Sequence, residues 1–147
     1  MTARQLVIGS AEGTRHQVVA DNMRVLASGA DTGGAFEVFE MTGPRDSSPP
    51  PHAHPWTESY SVIEGTIDVL IEDRTVSGGP GFFFQIPAGT FHSYKITSDI
   101  ARVLIVTSPS GAADFFREID SETDIEKIVG IAMRHGFTLP PPAAPAA

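Results

Sequence analysis

Between Gln17 and Thr107 this chain offers no long apolar run. It offers short ones, each closed by residues that turn a backbone. Gln17–Ala20 and Met23–Ala27 flank Asp21-Asn22, a tight-turn signal. Ala35–Met41 follows the Gly-rich loop Gly29–Gly34. Glu58–Ile63 ends at Glu64-Gly65, Thr66–Ile71 at Asp73-Arg74, and Thr75-Val76 runs into the breaker cluster Ser77–Gly81. Phe82–Ile86, Thr90–Ile96 and Ala101–Thr107 complete the series, and Arg4–Ile8 is a further short candidate at the start. The 14 glycines and 12 prolines suit a chain with this many turns. Short strands so spaced predict an all-β sandwich or barrel. Alternation assigns the faces: Phe36, Val38 and Glu40 against Glu37, Phe39 and Met41; Glu58, Tyr60 and Val62 together; Ile67, Val69 and Ile71 together.

The chemistry concentrates in two of these stretches. Pro50–Gly65 reads PPHAHPWTESYSVIEG and holds His52, His54 and Glu58. On an extended backbone His52 and His54 share a face, with Cα atoms roughly 6–7 Å apart. Glu58 keeps the same parity, so its carboxylate can turn to the same point. Gly81–His92 reads GFFFQIPAGTFH and supplies one more imidazole, His92, after a turn at Pro87-Ala88-Gly89. Imidazoles with one carboxylate suit a divalent iron, nickel, manganese, cobalt or zinc ion.

The spacing resembles the cupin family. Its first motif, G(X)5HXH(X)3–4E(X)6G, is matched by His52, His54, three residues, Glu58, six residues and Gly65. Its second, G(X)5PXG(X)2H(X)3N, is matched by Gly81, Pro87, Gly89 and His92. Two positions depart: the opening glycine is at best Gly43, and Ile96 stands where asparagine is usual. The resemblance covers roughly Phe36 to Val106, and the wording of the first motif is most similar to quercetin-dioxygenase-like monocupins. It implies a double-stranded β-helix, a jelly-roll barrel. It also implies one divalent metal ion held by His52, His54, Glu58 and His92, with Glu58 either a ligand or a catalytic base. Tyr60, Phe84 and Tyr94 are expected to face the barrel interior near the metal, with Trp56 and Phe91 at the rim. These aromatics suggest an apolar pocket for a small planar substrate.

After Pro109 the period changes. A short helix is expected over Ala112–Ile119, with Phe115, Phe116 and Ile119 apolar. Thr123-Asp124-Ile125-Glu126 reads as a capping box. Ile125, Ile128, Val129, Ala132 and Met133 then form one helical face, expected to dock on the barrel or on a partner chain. Gly136 stops that helix, and His135 complements its C-terminal end. The tail 140–147, PPPAAPAA, is low-complexity. The expected organisation is one domain over 1–147: barrel to about 109, helices over 111–136, then the tail.

A net charge of −8 argues against a nonspecific nucleic-acid binder. No apolar stretch approaches a membrane span or a secretory signal, so the cytoplasm is the expected location. With no cysteine, neither disulfides nor thiolate metal sites can form. His16 has no partner pattern and is expected at the surface. Pairing of exposed sheet edges predicts a homodimer with a small molecule as its other partner. The leading functional expectation is a metal-dependent, dioxygenase-like enzyme acting on a phenolic or enolic substrate. The alternatives are a metal-dependent cyclase or isomerase that uses no oxygen, and a non-catalytic binding barrel.

Overall fold

The computed structural model describes residues 2–141. Among these residues nine strands form two antiparallel sheets. They are β1 (Arg15–Val18), β2 (Asp21–Ala27), β3 (Glu37–Pro44), β4 (Thr57–Glu64), β5 (Ile67–Ile71), β6 (Arg74–Gly78), β7 (Phe83–Ile86), β8 (His92–Ile96) and β9 (Ile100–Ser108). The larger sheet runs β1-β2-β3-β9-β4-β7 and the smaller β6-β5-β8. Their facing sides bury Phe39 and Met41, Tyr60 and Val62, Ile67 and Val69, Tyr94 and Ile96, and Ala101, Val103 and Ile105. This is the alternation written in the sequence, and the core lies between the sheets. Among the described residues no helix is long and apolar enough to cross a membrane.

Several elements differ from expectation, each for a local reason. Arg4–Ile8 is not a strand. The outer edge of β1, where it would pair, is taken: Gln17 N–H donates to Asp120 Oδ1 at 2.8 Å, and Ser121 N–H donates to Gln17 O at 2.9 Å. The β1–β2 turn is Val19-Ala20, not Asp21-Asn22, because Val18 pairs with Asp21 and Val19 takes the left-handed φ of 55°. Asp21 is thereby turned into the barrel, where it accepts from Ser47 Oγ at 2.6 Å and from the Tyr94 hydroxyl. Gly29–Gly34 contains a one-turn helix, α1 (Gly29–Thr32), begun by the Ser28–Asp31 hydrogen bonds. The β5–β6 turn is Glu72-Asp73, with Arg74 already in the strand. His16 is buried and faces Asp120 at 3.3 Å, rather than lying at the surface.

Two helices follow: α2 (Ala112–Glu118) and α3 (Ile125–Arg134). Phe115, Phe116 and Ile119 are buried as expected, and Phe116 meets Phe39 edge-on at 5.1 Å. The N-cap of α3 is Asp124, not Thr123; its carboxylate accepts from the N–H groups of Glu126 and Lys127. The docked stripe of α3 is Ile128, Ile131 and Ala132, while Ile125 and Met133 stand 62% and 64% exposed. At 100° per residue the helix is turned roughly a sixth of a revolution from the stripe's centre. The Glu118–Arg134 ion pair at 3.2 Å and the Glu118–His135 hydrogen bond at 3.0 Å hold that orientation. Pro140 and Pro141 are exposed and irregular, and the rest of the expected tail, 142–147, lies outside the described residues.

Ile131→Asp places a charge in the α3–barrel seam and is expected to cost about 1–3 kcal/mol. Ile125→Asp is expected to fall within about 0.5 kcal/mol of the parent. Urea unfolding of the two variants checks this; equal losses would return Ile125 to the docked face.

Candidate metal centre

A pair of backbone hydrogen bonds assembles the centre. His52 N–H donates to His92 O at 3.0 Å, and His92 N–H donates to His52 O at 2.9 Å. The segment between β3 and β4 is thus laid beside the first residue of β8. A directly opposed antiparallel pair presents its side chains to the same face. Two residues on, His54 returns to that face. The ring centroids of His52, His54 and His92 lie 4.6–5.5 Å apart. Their ligand-capable nitrogens all fall within 4.8 Å of one another.

Glu58 comes from the opposite wall. It lies on β4 between Ile86 of β7 and Thr107 of β9, with its side chain inward and buried. Its carboxylate stands 3.6 Å from His54 Nε2 and 3.5 Å from His92 Nε2, and accepts from the Tyr60 hydroxyl. The four residues with ligand spacing therefore meet, and all but His52 are fully buried.

The hydrogen-bond partners decide the tautomers. Nδ1 of His52 lies 2.8 Å from Pro50 O, Nδ1 of His54 2.9 Å from Trp56 O, and Nδ1 of His92 2.8 Å from Thr90 O. A carbonyl oxygen only accepts, so each Nδ1 carries the proton. Each neutral ring then offers its Nε2 lone pair. Among the described residues, Nε2 of His54 and of His92 has no hydrogen-bond partner, although both are sealed from solvent. Buried acceptors without partners are costly, and a cation among the three lone pairs removes that cost. Anchored Nδ1–H groups are the usual outer shell of metal-binding histidines. On donor type and on tautomer, the cluster fits a divalent transition metal.

Electrostatics agree. Burial, first, pulls His52 down to about 4, and neighbouring His92 adds to this. Burial likewise lowers His54. Burial alone would raise Glu58, but the His92 and His54 imidazoles and the Tyr60 hydroxyl outweigh it and hold the carboxyl down to about 2. His92 goes the other way: burial opposes its charge, yet the Glu58 carboxylate raises it. A Glu58 held as a carboxylate and a His52 held neutral are the forms a metal needs.

The expected pocket aromatics are mostly engaged in packing. Trp56 is not at an open rim; it is buried and stacks on His54 at 4.6 Å and 17°. Tyr60 and Tyr94 are inward, 6.1 Å apart and edge-on, with hydroxyls committed to Glu58 and Asp21. Phe84 stacks on Phe82 at 6.2 Å, over the space a side chain at Gly78 would need. Phe91 is half-buried, its carbonyl accepting from Glu72 N–H. Two residues that sequence reasoning passed over also lie here. Phe137, directly after the helix stop, packs on His52, His54 and Trp56. Thr107, opposite Glu58, is a buried hydroxyl without a partner among the described residues, in a row of apolar inward residues.

The family profile of the cupin domain matches residues 38–107, which include both histidine segments and all the strands that carry them. Residues 38–107 are a cupin domain. The chain is 30% identical over 114 residues to quercetin 2,3-dioxygenase of Bacillus subtilis (strain 168). That alignment covers 77% of this chain and 34% of the relative, so the chain spans about a third of the relative's length. Among solved structures, the fold is similar to that of KdgF from a Halomonas species, with a TM-score of 0.66 and 18% identity over 72% of this chain and 94% of that one. It is similar also to the polyketide cyclase RemF from Streptomyces resistomycificus, with a TM-score of 0.65 and 24% identity over 73% and 81% of the two chains.

For the metal-free protein the sign of the pH dependence follows from His52. Its folded value, about 4, lies below its ordinary 6.5. As pH falls from 6.5 towards 4 the unfolded chain takes up a proton that the folded chain refuses, so stability is lost across that window. Glu58, depressed to about 2, adds a further loss as pH falls through 4.5 to 2. Thermal unfolding of chelator-treated protein is expected to show the upper-window loss, and His52→Asn is expected to flatten it. An unchanged slope in that variant would remove His52 as its source.

Proposed function

We propose that this protein is a divalent-metal-dependent enzyme of the dioxygenase type, acting on a small phenolic or enolic substrate. The observation that carries the metal reading is the convergence of three Nε2 lone pairs, each fixed by an Nδ1–H bond to a carbonyl, on the Glu58 carboxylate. His52, His54, His92 and Glu58 are the ligands in this reading. The identity to a quercetin 2,3-dioxygenase supports oxygenation as the activity. A bound ion of this kind supplies Lewis acidity and a template for substrate oxygens.

The protein's own part is to orient and to hold protons. The three backbone-anchored rings keep their lone pairs aimed at one point. Glu58, ionised and paired with Tyr60, accepts the proton of a substrate hydroxyl, and the Tyr60 hydroxyl stabilises the carboxylate before transfer. Burial of both groups excludes water from this exchange. The same base chemistry serves a cyclase or isomerase that uses no oxygen, which is the second reading. A homodimer belongs to this proposal as well. Its support is the exposed apolar residues Phe82, Phe83 and Ile63 at β7 and its neighbour β4; a monomer in sedimentation at micromolar concentration would count against it.

Elemental analysis of purified protein is expected to give one divalent metal per chain, falling sharply in His92→Ala with the fold retained by circular dichroism. Full occupancy in that variant would sink the four-ligand set. With flavonol and catechol substrates, oxygen uptake is expected to match substrate loss and to stop on chelation. Turnover under nitrogen would favour the oxygen-free reading. Glu58→Gln is expected to lower kcat by about 10²–10⁴-fold.

A further inference from the structure

Nε2 of His54 and Nε2 of His92 are sealed from solvent. A ligand reaches them only after some side chain has moved. Trp56, Glu58 and Tyr60 are poor candidates, because they are buried on β4 or stacked on His54. Phe137 is different. Its ring lies 5.4 Å from that of His52, 5.3 Å from His54 and 5.4 Å from Trp56, and it is only half-buried. It is also brought there from outside the barrel, by a segment that follows a helix with no buried residue.

That segment is a short strap. Gly136, at a φ of +85°, turns the chain off α3 and passes close to Pro55; an added Cβ would lie 3.1 Å from the proline ring. Thr138 exchanges two backbone hydrogen bonds with Ala53, each 2.9 Å. Ala53 sits between the two ligand-spaced histidines, so the strap pairs with the edge of their segment that His92 leaves free. Gly136 N–H and Phe137 N–H tie it to the end of α3, donating to Met133 O at 3.1 Å and to Ala132 O at 3.0 Å, and the Phe137 ring packs on Phe115 of α2 at 4.5 Å. Leu139 and Pro140 beyond it are exposed.

We propose that Phe137, carried on the strap Gly136–Thr138, is the access-determining residue of the histidine centre. With the strap paired to Ala53 the ring covers the His52–His54–Trp56 face. With the strap lifted, a planar aromatic oxygen donor takes the place of the ring, gaining the same edge contact with Trp56 and presenting its hydroxyls to the centre. The proposal rests on the metal-centre reading above, and its test separates the two.

Trp56 is the protein's one tryptophan, so its emission reports on this face without any metal. Acrylamide quenching is compared in the chelated parent, Phe137→Ala and Thr138→Pro; the last removes the N–H that bonds to Ala53 and leaves the ring in place. Quenching is expected to rise about twofold or more in both variants, since each raises the open fraction. The cobalt(II)-loaded proteins are then mixed with 4-nitrocatechol, a chromophoric planar phenol. Its association rate is expected to rise about tenfold in both variants, in proportion to the open fraction. Circular dichroism checks the fold, and should Phe137→Ala fail to fold, Thr138→Pro decides. Unchanged quenching in a folded Thr138→Pro overturns the gate, as does an unchanged association rate. Failure of the parent to take up cobalt overturns the metal reading, while the quenching comparison still decides whether the strap covers Trp56.

Discussion

The reciprocal backbone hydrogen bonds between His52 and His92 are the constraint on which the site depends. They join an irregular, proline-rich segment to the first residue of a regular strand. Register on β8 is in turn set by β5, where Ile71 lies opposite His92 and Ile67 opposite Ile96. A slip of one residue would send His92 out of the barrel and Ser93 in. The apolar residues Val69 and Ile67, buried on the same sheet, resist that slip. The positions of the ring nitrogens are therefore maintained by hydrophobic burial some way from any charge. The Nδ1–H bonds to Pro50, Trp56 and Thr90 carbonyls only finish the aim.

The barrel interior divides into a polar end and an apolar bulk, and the polar end is not isolated. Glu58 meets Tyr60; Tyr60 lies edge-on to Tyr94; Tyr94 meets Asp21, which also accepts from Ser47. Two buried carboxylates are thus each satisfied by a tyrosine hydroxyl. The environments differ in a way that matters for chemistry. Asp21 has no imidazole beside it, and burial raises its affinity for a proton despite the two hydroxyl donors. Glu58 has two imidazoles within 3.6 Å and is held strongly ionised. Of these two acids, only the one among the histidines is held as a carboxylate that can share a cation.

What the sequence made legible was whatever is encoded locally. The parity of His52, His54 and Glu58 follows from a period of two, and the inward rows of β3, β4 and β5 follow from the same rule. Long-range partners were not legible. His16 looked like a surface residue because its partner, Asp120, is 104 positions away. Arg4–Ile8 has the apolar content of a strand, but the edge it would join is capped by Asp120 and Ser121 from the far end of the chain. The face of α3 was misjudged because its orientation is set by Glu118 on another helix, not by its own apolar pattern. Phe137 is not legible as a site residue because the glycine stop at Gly136 marks only the end of a helix, whereas the chain turns back into the site. A large apolar residue just after a glycine stop was the available signal.

The C-terminal segment links stability to access. Helix α2 plugs the barrel beside Phe39 with Phe116, and the adjoining Phe115 is what Phe137 rests on. Glu37, buried at the start of β3, fixes that helix by accepting from Gly111 and Ala113 N–H groups at 3.0 and 2.9 Å. The inner part of the appendage is therefore bound by part-buried hydrogen bonds and by buried apolar side chains. The outer part, α3 and the strap, is bound by half-buried side chains, the Glu118 contacts and two backbone bonds. Opening free energies within one fold scale with such differences in burial. The strap can then lift while α2 stays seated, and the face that lifting uncovers is the one bounded by His52, His54 and Trp56. A segment that closes a site must be tied weakly enough to release it, and in this chain the weakest tie adjoins the histidine pair.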